Sequence, residues 1–471
     1  MNARPRRLLL AILLVLLAPG HPEGAQAGAG DSLSHWGPVP PRADSVTAVF
    51  TRAPTPLWRS ALYFPFRVVL FPLWLVDRGI SNVAGFALES AVAEDVEEVF
   101  QIFPAPFGGR LYPTVAAGGL SGFGLGLIYE HDAFFRESNR YRLEFGFSFR
   151  GDLIATTGAR LGEDERTTWD LGAGWRRRLN ARFFGLGPES AFENESFYRQ
   201  DYGWLGAEAR HRLSRDWRLG GELLLSSSRA RSTEPDDLSA DDRDKLIEDK
   251  FDVSQIPGFG ERSAGVTVAV SILRDAAPDR GRPGAGAYTE LRLLAFHSLD
   301  GTDISYWNTR VDLQRFVPLW NSKQHLALRG FASWLDRIGN NEIPFQQLYT
   351  NGEPDGFRGY RDFRWRDEGA LGATVEYRWP VWADATVDGT GLDIYLLTDV
   401  NQVFGSAEEI AWDHLRLSYG GGLRLAVTPF LLSRVEVAFS EDETVFRLVA
   451  GQNFQSSVER LFRGYEPVPG R

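Results

Sequence analysis

The sequence contains no cysteine among its 471 residues. This absence excludes a disulfide framework, a cysteine-ligated metal, a lipid-modified cysteine and a thiol nucleophile. Lysine is also scarce, and the 62 acidic residues outnumber the 51 lysine and arginine residues. Lysine occurs only at Lys245, Lys250 and Lys323, and the formal net charge is −11. A nucleic-acid-binding protein needs a basic face, so the charge balance argues against that class.

Residues typical of catalytic and metal sites are sparse as well. The 7 histidines are scattered, and none has the spacing of a metal ligand pair. The sequence has no G-x-S-x-G motif, and no Ser-His-Asp order stands out. We therefore expect neither an enzyme nor a cofactor- or metal-binding protein.

The sequence also lacks an apolar run long enough for a membrane-spanning helix. Its longest candidate, residues 8–18, has about eleven residues, whereas a spanning helix needs about twenty. Arg4, Arg6 and Arg7 precede this run, and the small-residue triplet Ala25-Gln26-Ala27 follows it. This order predicts a signal peptide over residues 1–27, and a short membrane anchor is the alternative.

Residues 28–119 predict a periplasmic segment of mixed structure. Residues 28–55 have the Gly, Pro and Ser content of a linker. Residues 57–76 are rich in aromatic side chains but are interrupted by Pro65 and Pro72. They favour a segment lying at the membrane interface, with ordinary core packing as the alternative. Residues 81–100 have a helical pattern.

From about residue 120 the hydrophobic pattern has a period of two. In residues 141–150, for example, Tyr141, Leu143 and Phe145 alternate with Arg142 and Glu144. Successive side chains of a strand point to opposite faces, so the predicted sheet has one apolar face and one charged or small face. A soluble β-sandwich would give the same alternation, with the apolar face inward.

The lengths of the connections favour a membrane barrel over a sandwich. Sixteen strands are predicted, near 120–131, 141–150, 151–158, 168–178, 181–185, 201–212, 216–227, 262–273, 285–297, 305–317, 323–335, 368–379, 391–403, 415–427, 430–438 and 445–454. The long connections 186–200, 228–261 and 336–367 are all odd-numbered. The tight ones at 150–151, 180, 214–215 and 428–429 are all even-numbered. This sorting is typical of outer-membrane barrels, which have long loops outside and short turns in the periplasm. We therefore predict an all-β protein with a transmembrane antiparallel β-barrel of about 16 strands over residues 120–454.

Residues 348–382 carry a resemblance to a known family. Phe357-Arg358-Gly359-Tyr360, followed by Glu376-Tyr377-Arg378, resembles the bacterial surface-antigen superfamily that includes BamA and TamA. The resemblance implies that this tip, on the sixth extracellular loop, folds back into the barrel. The last predicted strand, with Gly451 and Phe454, resembles the assembly signal of that family. This implies an outer-membrane location and recognition by the barrel assembly machinery.

The alternation also predicts partners for the arginine of the tip. Glu376 shares the inward face with Thr374, and Asp399 lies inward on the next strand. An arginine inside a barrel needs carboxylates to offset its desolvation, and the resemblance points to the same two acids. We expect a lock in which Arg358 binds Glu376 and Asp399, with Gly359 and Tyr360 completing the tip. Gly359 is expected to permit the tight reversal of the chain. The alternative is an interior arginine without a specific partner.

Two departures from the family pattern limit the functional prediction. Residues 28–119 show no pattern of the periplasmic POTRA repeats that precede many barrels of this family, and residues 455–471 follow the last strand as a tail. We expect a barrel that assists the insertion or translocation of a protein or lipid, and a channel for small solutes is the alternative. Expected partners are outer-membrane lipid and lipopolysaccharide, and a periplasmic protein bound at 57–76 or 455–471.

Overall fold

The computed structural model describes most of the predicted barrel region. The described residues are 103–104, 109–118, 122–162, 166–276, 284–319, 324–352, 356–383, 391–427 and 431–450. Several predictions fall outside them: the signal peptide (1–27), the segments 57–76 and 81–100, Gly451, Phe454 and the tail 455–471.

Within the described residues, sixteen antiparallel strands form one sheet. They are β1 (Arg110–Gly118), β2 (Gly122–His131), β3 (Arg140–Ser148), β4 (Leu153–Leu161), β5 (Thr167–Phe183), β6 (Ser196–Arg212), β7 (Trp217–Arg231), β8 (Arg262–Asp275), β9 (Gly286–Ser298), β10 (Ser305–Pro318), β11 (His325–Ile338), β12 (Gly369–Ala383), β13 (Gly391–Phe404), β14 (Arg416–Val427), β15 (Leu431–Phe439) and β16 (Thr444–Ala450). The all-β prediction of about sixteen strands is confirmed.

Each strand pairs with its neighbours in the chain, and β16 also pairs with β1. In the described residues, the β-pairing between β16 and β1 consists of the single pair Leu448 and Ala117. A two-residue strand, Phe103–Pro104, pairs with the start of β1. In the part of the chain that is described, the sheet therefore runs from β1 to β16, and the pair Leu448 and Ala117 joins its two ends.

The sheet differs from the prediction at its beginning. It starts at Arg110 rather than at residue 120, because β1 lies in the segment that was predicted to precede the barrel. Pro113 and the small residues at the end of β1 hide its alternation, since proline is rarely found within a strand. Residues 110–118 thus belong to the sheet.

A second correction concerns residues 168–185. The predicted strands 168–178 and 181–185 form one strand, β5, which continues across a bulge between Arg178 and Ala181. A bulge adds residues to one strand without ending it, so the pattern around Asn180 resembled a turn. The tight turn at Arg150 and Gly151 consequently lies on the side of the long loops, and its predicted even-numbered position is wrong.

The orientation of the two faces distinguishes a membrane sheet from a soluble sandwich. On β7, Leu223 and Leu225 are 52% and 46% exposed, whereas Leu224 between them is 1% exposed. Charged side chains such as Asp170 and Arg424 are buried on the other face. Apolar side chains thus point outward and charged ones inward, which is the arrangement expected of a sheet surrounded by lipid.

The long connections pack together at one end of the sheet. The β7–β8 connection contains the short helix α1 (Ile247–Lys250), and Ile247 is buried against Phe183, Tyr198 and Phe345. Single turns of 3-10 helix occupy Phe192–Asn194, Pro235–Asp237, Val253–Gln255, Phe345–Gln347 and Ala407–Glu409. No helix among the described residues is long and apolar enough to cross a bilayer.

Candidate functional site

The candidate site is built by the connection between β11 and β12, residues 339–368, which we call the β11–β12 loop. Tyr349–Thr350 pairs with Arg366–Asp367, so the loop narrows to a hairpin before its tip. Asn351 braces this hairpin. Its Oδ1 accepts a hydrogen bond from the Trp365 amide at 2.6 Å, and its Nδ2 donates to the Arg361 carbonyl at 2.9 Å. The end of the loop, residues 356–365, which we call the tip, is thus a structured element.

The chain reverses across residues 356–360. Gly356 and Phe357 have φ values of 86° and 57°, in the left-handed region that non-glycine residues rarely adopt. Phe357 is fully buried, and its packing holds this conformation. Gly359 lies inside this reversal, since the Tyr360 amide donates to the Phe357 carbonyl at 2.9 Å, but its φ is not positive, so its backbone conformation does not require glycine.

Gly359 instead allows the tip to approach the sheet. A Cβ at this position would lie 2.6 Å from Cβ of Ser418 on β14 and 2.8 Å from the carbonyl oxygen of Phe439 on β15. Real side chains do not make contacts this close with backbone. Only glycine therefore fits between the tip and these two strands.

Arg358 is fully buried between carboxylates on the inner face of the sheet. Its Nε donates to Oδ2 of Asp399 at 2.9 Å, and its Nη2 donates to Oδ1 at 2.7 Å. Its Nη1 donates to Oε1 of Glu376. Glu436 on β15 lies farther away, with Oε2 3.8 Å from Nη1. The structure thus brings together Arg358, Glu376 and Asp399.

Neighbouring side chains hold the carboxylates in place. Thr374 donates to Asp399 at 2.9 Å, and Ser418 donates to it at 3.2 Å. Arg378 donates from Nε to the second oxygen of Glu376 at 2.8 Å. Since each carboxylate has partners besides Arg358, both are oriented by the sheet itself. The site is a pre-organised anion pair that accepts one guanidinium.

Tyr360 anchors the other side of the tip. Its hydroxyl donates to the Leu417 carbonyl on β14 at 3.3 Å. Its ring packs edge-on against Phe357 and Trp365, with centroids 6.3 and 5.8 Å away. The predicted assembly-signal residues Gly451 and Phe454 lie outside the described residues.

Sequence reasoning missed two further arginines that follow at intervals of three. Arg361 donates to Glu443 at 2.6 Å and to Glu195 at 2.7 Å. Arg364 donates to Asp442 at 2.7 Å and to Oγ of Ser190 at 2.9 Å. The spacing of Arg358, Arg361 and Arg364 was the available signal, although it does not reveal the partners, which lie in other loops.

Trp365 is stacked between two guanidinium groups. The Arg364 guanidinium carbon lies 3.8 Å from its ring centroid, and that of Arg416 on β14 lies 4.7 Å away. Cations at these distances are attracted by the π face of the indole ring. Trp365 therefore ties the base of the tip to β14.

At the base of the loop, Asp367 lies near other carboxylates and has a raised pKa. The pKa of Asp367 is raised to about 7, mainly by burial and also by the nearby carboxylates Glu409 and Glu368. A hydrogen bond from the Glu368 amide lowers it in part. Nowhere in the described residues does a group of histidine, aspartate and glutamate side chains have the arrangement to hold a metal ion. Asp367 is thus a group of the loop that titrates near neutral pH.

Comparison with known structures agrees with this architecture. BamA from Haemophilus ducreyi lacking POTRA domains 1–3 aligns with a TM-score of 0.51 at 14% identity, covering 72% of this chain and 69% of that chain. CdiB from Acinetobacter baumannii and CdiB from Escherichia coli have TM-scores of 0.43 and 0.48 at 12% and 10% identity. For both, 72% of this chain is covered, against 58% and 61% of theirs.

The comparison with curated protein sequences found no match. A family model does match: the Omp85 superfamily domain, over residues 123–454. This match spans most of the chain and includes the arginine tip, both of its carboxylates and the strands that carry them. The chain belongs to the Omp85 superfamily of outer-membrane β-barrel proteins.

Proposed function

We propose that this chain forms a closed barrel that assists the insertion or translocation of a protein or lipid in the outer membrane. The proposal depends on two observations: the Arg358 lock fixes the loop tip inside the sheet, and the two end strands share one residue pair within the described residues. Such a barrel has a blocked interior and a wall that can part sideways. A client would therefore enter the membrane through the seam between β1 and β16.

Strand pairing supports a weak seam. In the described residues, β1 and β2 share nine residue pairs and β15 and β16 share seven, whereas β16 and β1 share one. Each pair contributes backbone hydrogen bonds and side-chain contacts across the strands. Within the described residues, separating β1 from β16 thus breaks fewer residue pairs than separating β1 from β2 or β15 from β16.

The inner face disfavours an open channel. Its charges are largely paired with one another, as in Arg160 with Asp170 and Arg424 with Asp393. The β11–β12 loop adds a buried tip in contact with β12, β13 and β14. We propose that the native barrel conducts small solutes poorly and that it catalyses no reaction. Lipid and lipopolysaccharide would contact the outer face, and a periplasmic protein would bind at 57–76 or 455–471.

A disulfide across the seam tests the proposal. Because the sequence has no cysteine, only the two introduced cysteines of a chain can form it. Paired strands place Cα atoms about 4.5–5.5 Å apart, within the range of a disulfide. Ala117→Cys with Leu448→Cys should form a bond and abolish activity in cells that depend on this chain. A reductant should restore it. Val437→Cys with Phe446→Cys, which pairs β15 with β16, is the matched control and should leave activity intact.

Two outcomes would overturn the proposal. Full activity with the seam closed would exclude lateral opening. A large, steady conductance of the purified wild-type barrel in a lipid bilayer would favour a small-solute channel instead.

A further inference from the structure

The hairpin of β15 and β16 contacts the tip of the β11–β12 loop at the turn between the two strands. Ser440 in this turn donates from Oγ to the Gly359 carbonyl at 2.6 Å. Its Oγ also accepts from the amides of Asp442 and Glu443, both at 3.3 Å. One hydroxyl thus shapes the turn and joins it to the tip.

Two of the three acidic residues of this turn pair with two arginines of the tip. Glu443 accepts from Arg361 at 2.6 Å, and Asp442 accepts from Arg364 at 2.7 Å. Two adjacent acids thus pair with two arginines three residues apart. Charge-assisted hydrogen bonds of this kind are stronger than neutral ones.

A third contact comes from Arg447 on β16, the strand at the seam. Its Nη2 donates to the Tyr360 carbonyl at 2.7 Å, its Nη1 to Asp362 at 2.9 Å and its Nε to the Arg358 carbonyl at 3.4 Å. Arg447 is 6% exposed. Because two of its three acceptors are main-chain carbonyls, it fixes the backbone path of the tip.

We propose that the β11–β12 loop fastens the last hairpin through these contacts and that Arg447 is a positioning residue for the arginine tip. The last hairpin and the loop then behave as one body. β16 meets β1 through one described residue pair but meets the tip through several buried hydrogen bonds. When the seam parts, β16 stays with the loop and β1 moves away. Only this last step rests on the proposed function.

Hydrogen exchange measured by mass spectrometry on the full chain in lipid nanodiscs tests the inference. Arg447→Ala should speed exchange at least tenfold in both 436–450 and 356–365, because each segment loses hydrogen bonds to the other. Exchange in β2, β3 and β4 should be unchanged. Arg447→Lys should have a smaller effect, since an ammonium can still donate to the Tyr360 carbonyl.

Arg424→Ala is the matched control. Arg424 is an equally buried arginine on the inner face of β14, and it pairs with Asp393 on β13. Its removal should leave exchange in 436–450 unchanged. Two results would overturn the inference: equally faster exchange in 436–450 in Arg424→Ala, or no faster exchange in Arg447→Ala. Either would show that Arg447 only packs within the sheet.

A second pair of variants covers the case in which Arg447→Ala does not fold. Asp442→Asn and Glu443→Gln alter a turn outside the strands and should be tolerated. The double variant should speed exchange in 440–450 and in 356–365, and unchanged exchange there would contradict the inference. This readout needs no insertion activity. If the disulfide across the seam leaves activity intact but exchange still rises together in the last hairpin and the loop tip, only the proposed function is rejected. If exchange in the two segments does not change together, the inference that the loop fastens the last hairpin is rejected.

Discussion

Arg358 meets Asp399 through two parallel hydrogen bonds, Nε to Oδ2 at 2.9 Å and Nη2 to Oδ1 at 2.7 Å. This two-point geometry matches the planar fork of a guanidinium and cannot be reproduced by an ammonium group. The loop tip is therefore held in one orientation as well as at one place.

Replacing Arg358 should loosen the tip. Arg358→Ala leaves Asp399 and Glu376 buried without their shared cation, and breaking a buried pair in this way costs about 3–5 kcal/mol. We expect the folded band on unheated gels to be lost at a lower temperature than in the wild type. Arg358→Lys should fall between the two. Identical heat stability of wild type and Arg358→Ala would show that the contact is dispensable.

The two carboxylates should contribute unequally. Asp399→Asn turns an amide toward the guanidinium, whereas Glu376→Gln leaves the two-point contact with Asp399 in place. External trypsin is a convenient probe because Arg358, Arg361 and Arg364 are all in the tip. Cleavage there should be faster in Asp399→Asn than in Glu376→Gln. The reverse order would assign the main attachment to Glu376.

A methyl group at residue 359 should displace the tip as effectively as the loss of Arg358. In Gly359→Ala the new Cβ meets Ser418 and the carbonyl of Phe439. Adding Ser418→Gly should not rescue the variant, since the backbone carbonyl at 2.8 Å remains. Trypsin cleavage at the tip measures both variants, and full rescue by Ser418→Gly would contradict the backbone clash.

Asp367 should make the loop more stable at acidic pH. Its pKa is about 7 in the folded protein and 3.8 without the structure. Between these values the unfolded state loses the proton while the folded state keeps it, so the stabilisation present below pH 3.8 is lost as the pH rises to about 7. The urea midpoint of wild type minus that of Asp367→Asn should fall over this range. A difference independent of pH would refute the assignment.

The central contact was predictable because it depends on two local regularities. The alternation of β12 and β13 puts Glu376 and Asp399 on the inner face, and the arginine motif supplies a cation that needs them. β1 was missed because Pro113 interrupts its pattern. The division of β5 was an error of the same kind, since a bulge and a turn are built from similar residues.

The contacts of Arg447 could not be predicted from the sequence, for a different reason. Two of its acceptors are main-chain carbonyls, which every residue has, and they lie more than eighty positions away along the chain. No residue type marks such a partner. The pairing of Arg361 and Arg364 with the 440–443 turn likewise depends on how the loops fold over the sheet.

The extension of β5 across its bulge has a consequence for the shape of the outer rim. The last residue of β5 that pairs with β4 is Arg177, so residues 178–183 rise above β4 and pair with β6 alone. β5 and β6 have 17 residues each, whereas β3 and β4 have 9 each. The rim is therefore tall on one side and low beside β1 to β4. A large molecule that approaches from outside therefore meets a higher wall at β5 and β6 than at β1 to β4, which lie next to the seam.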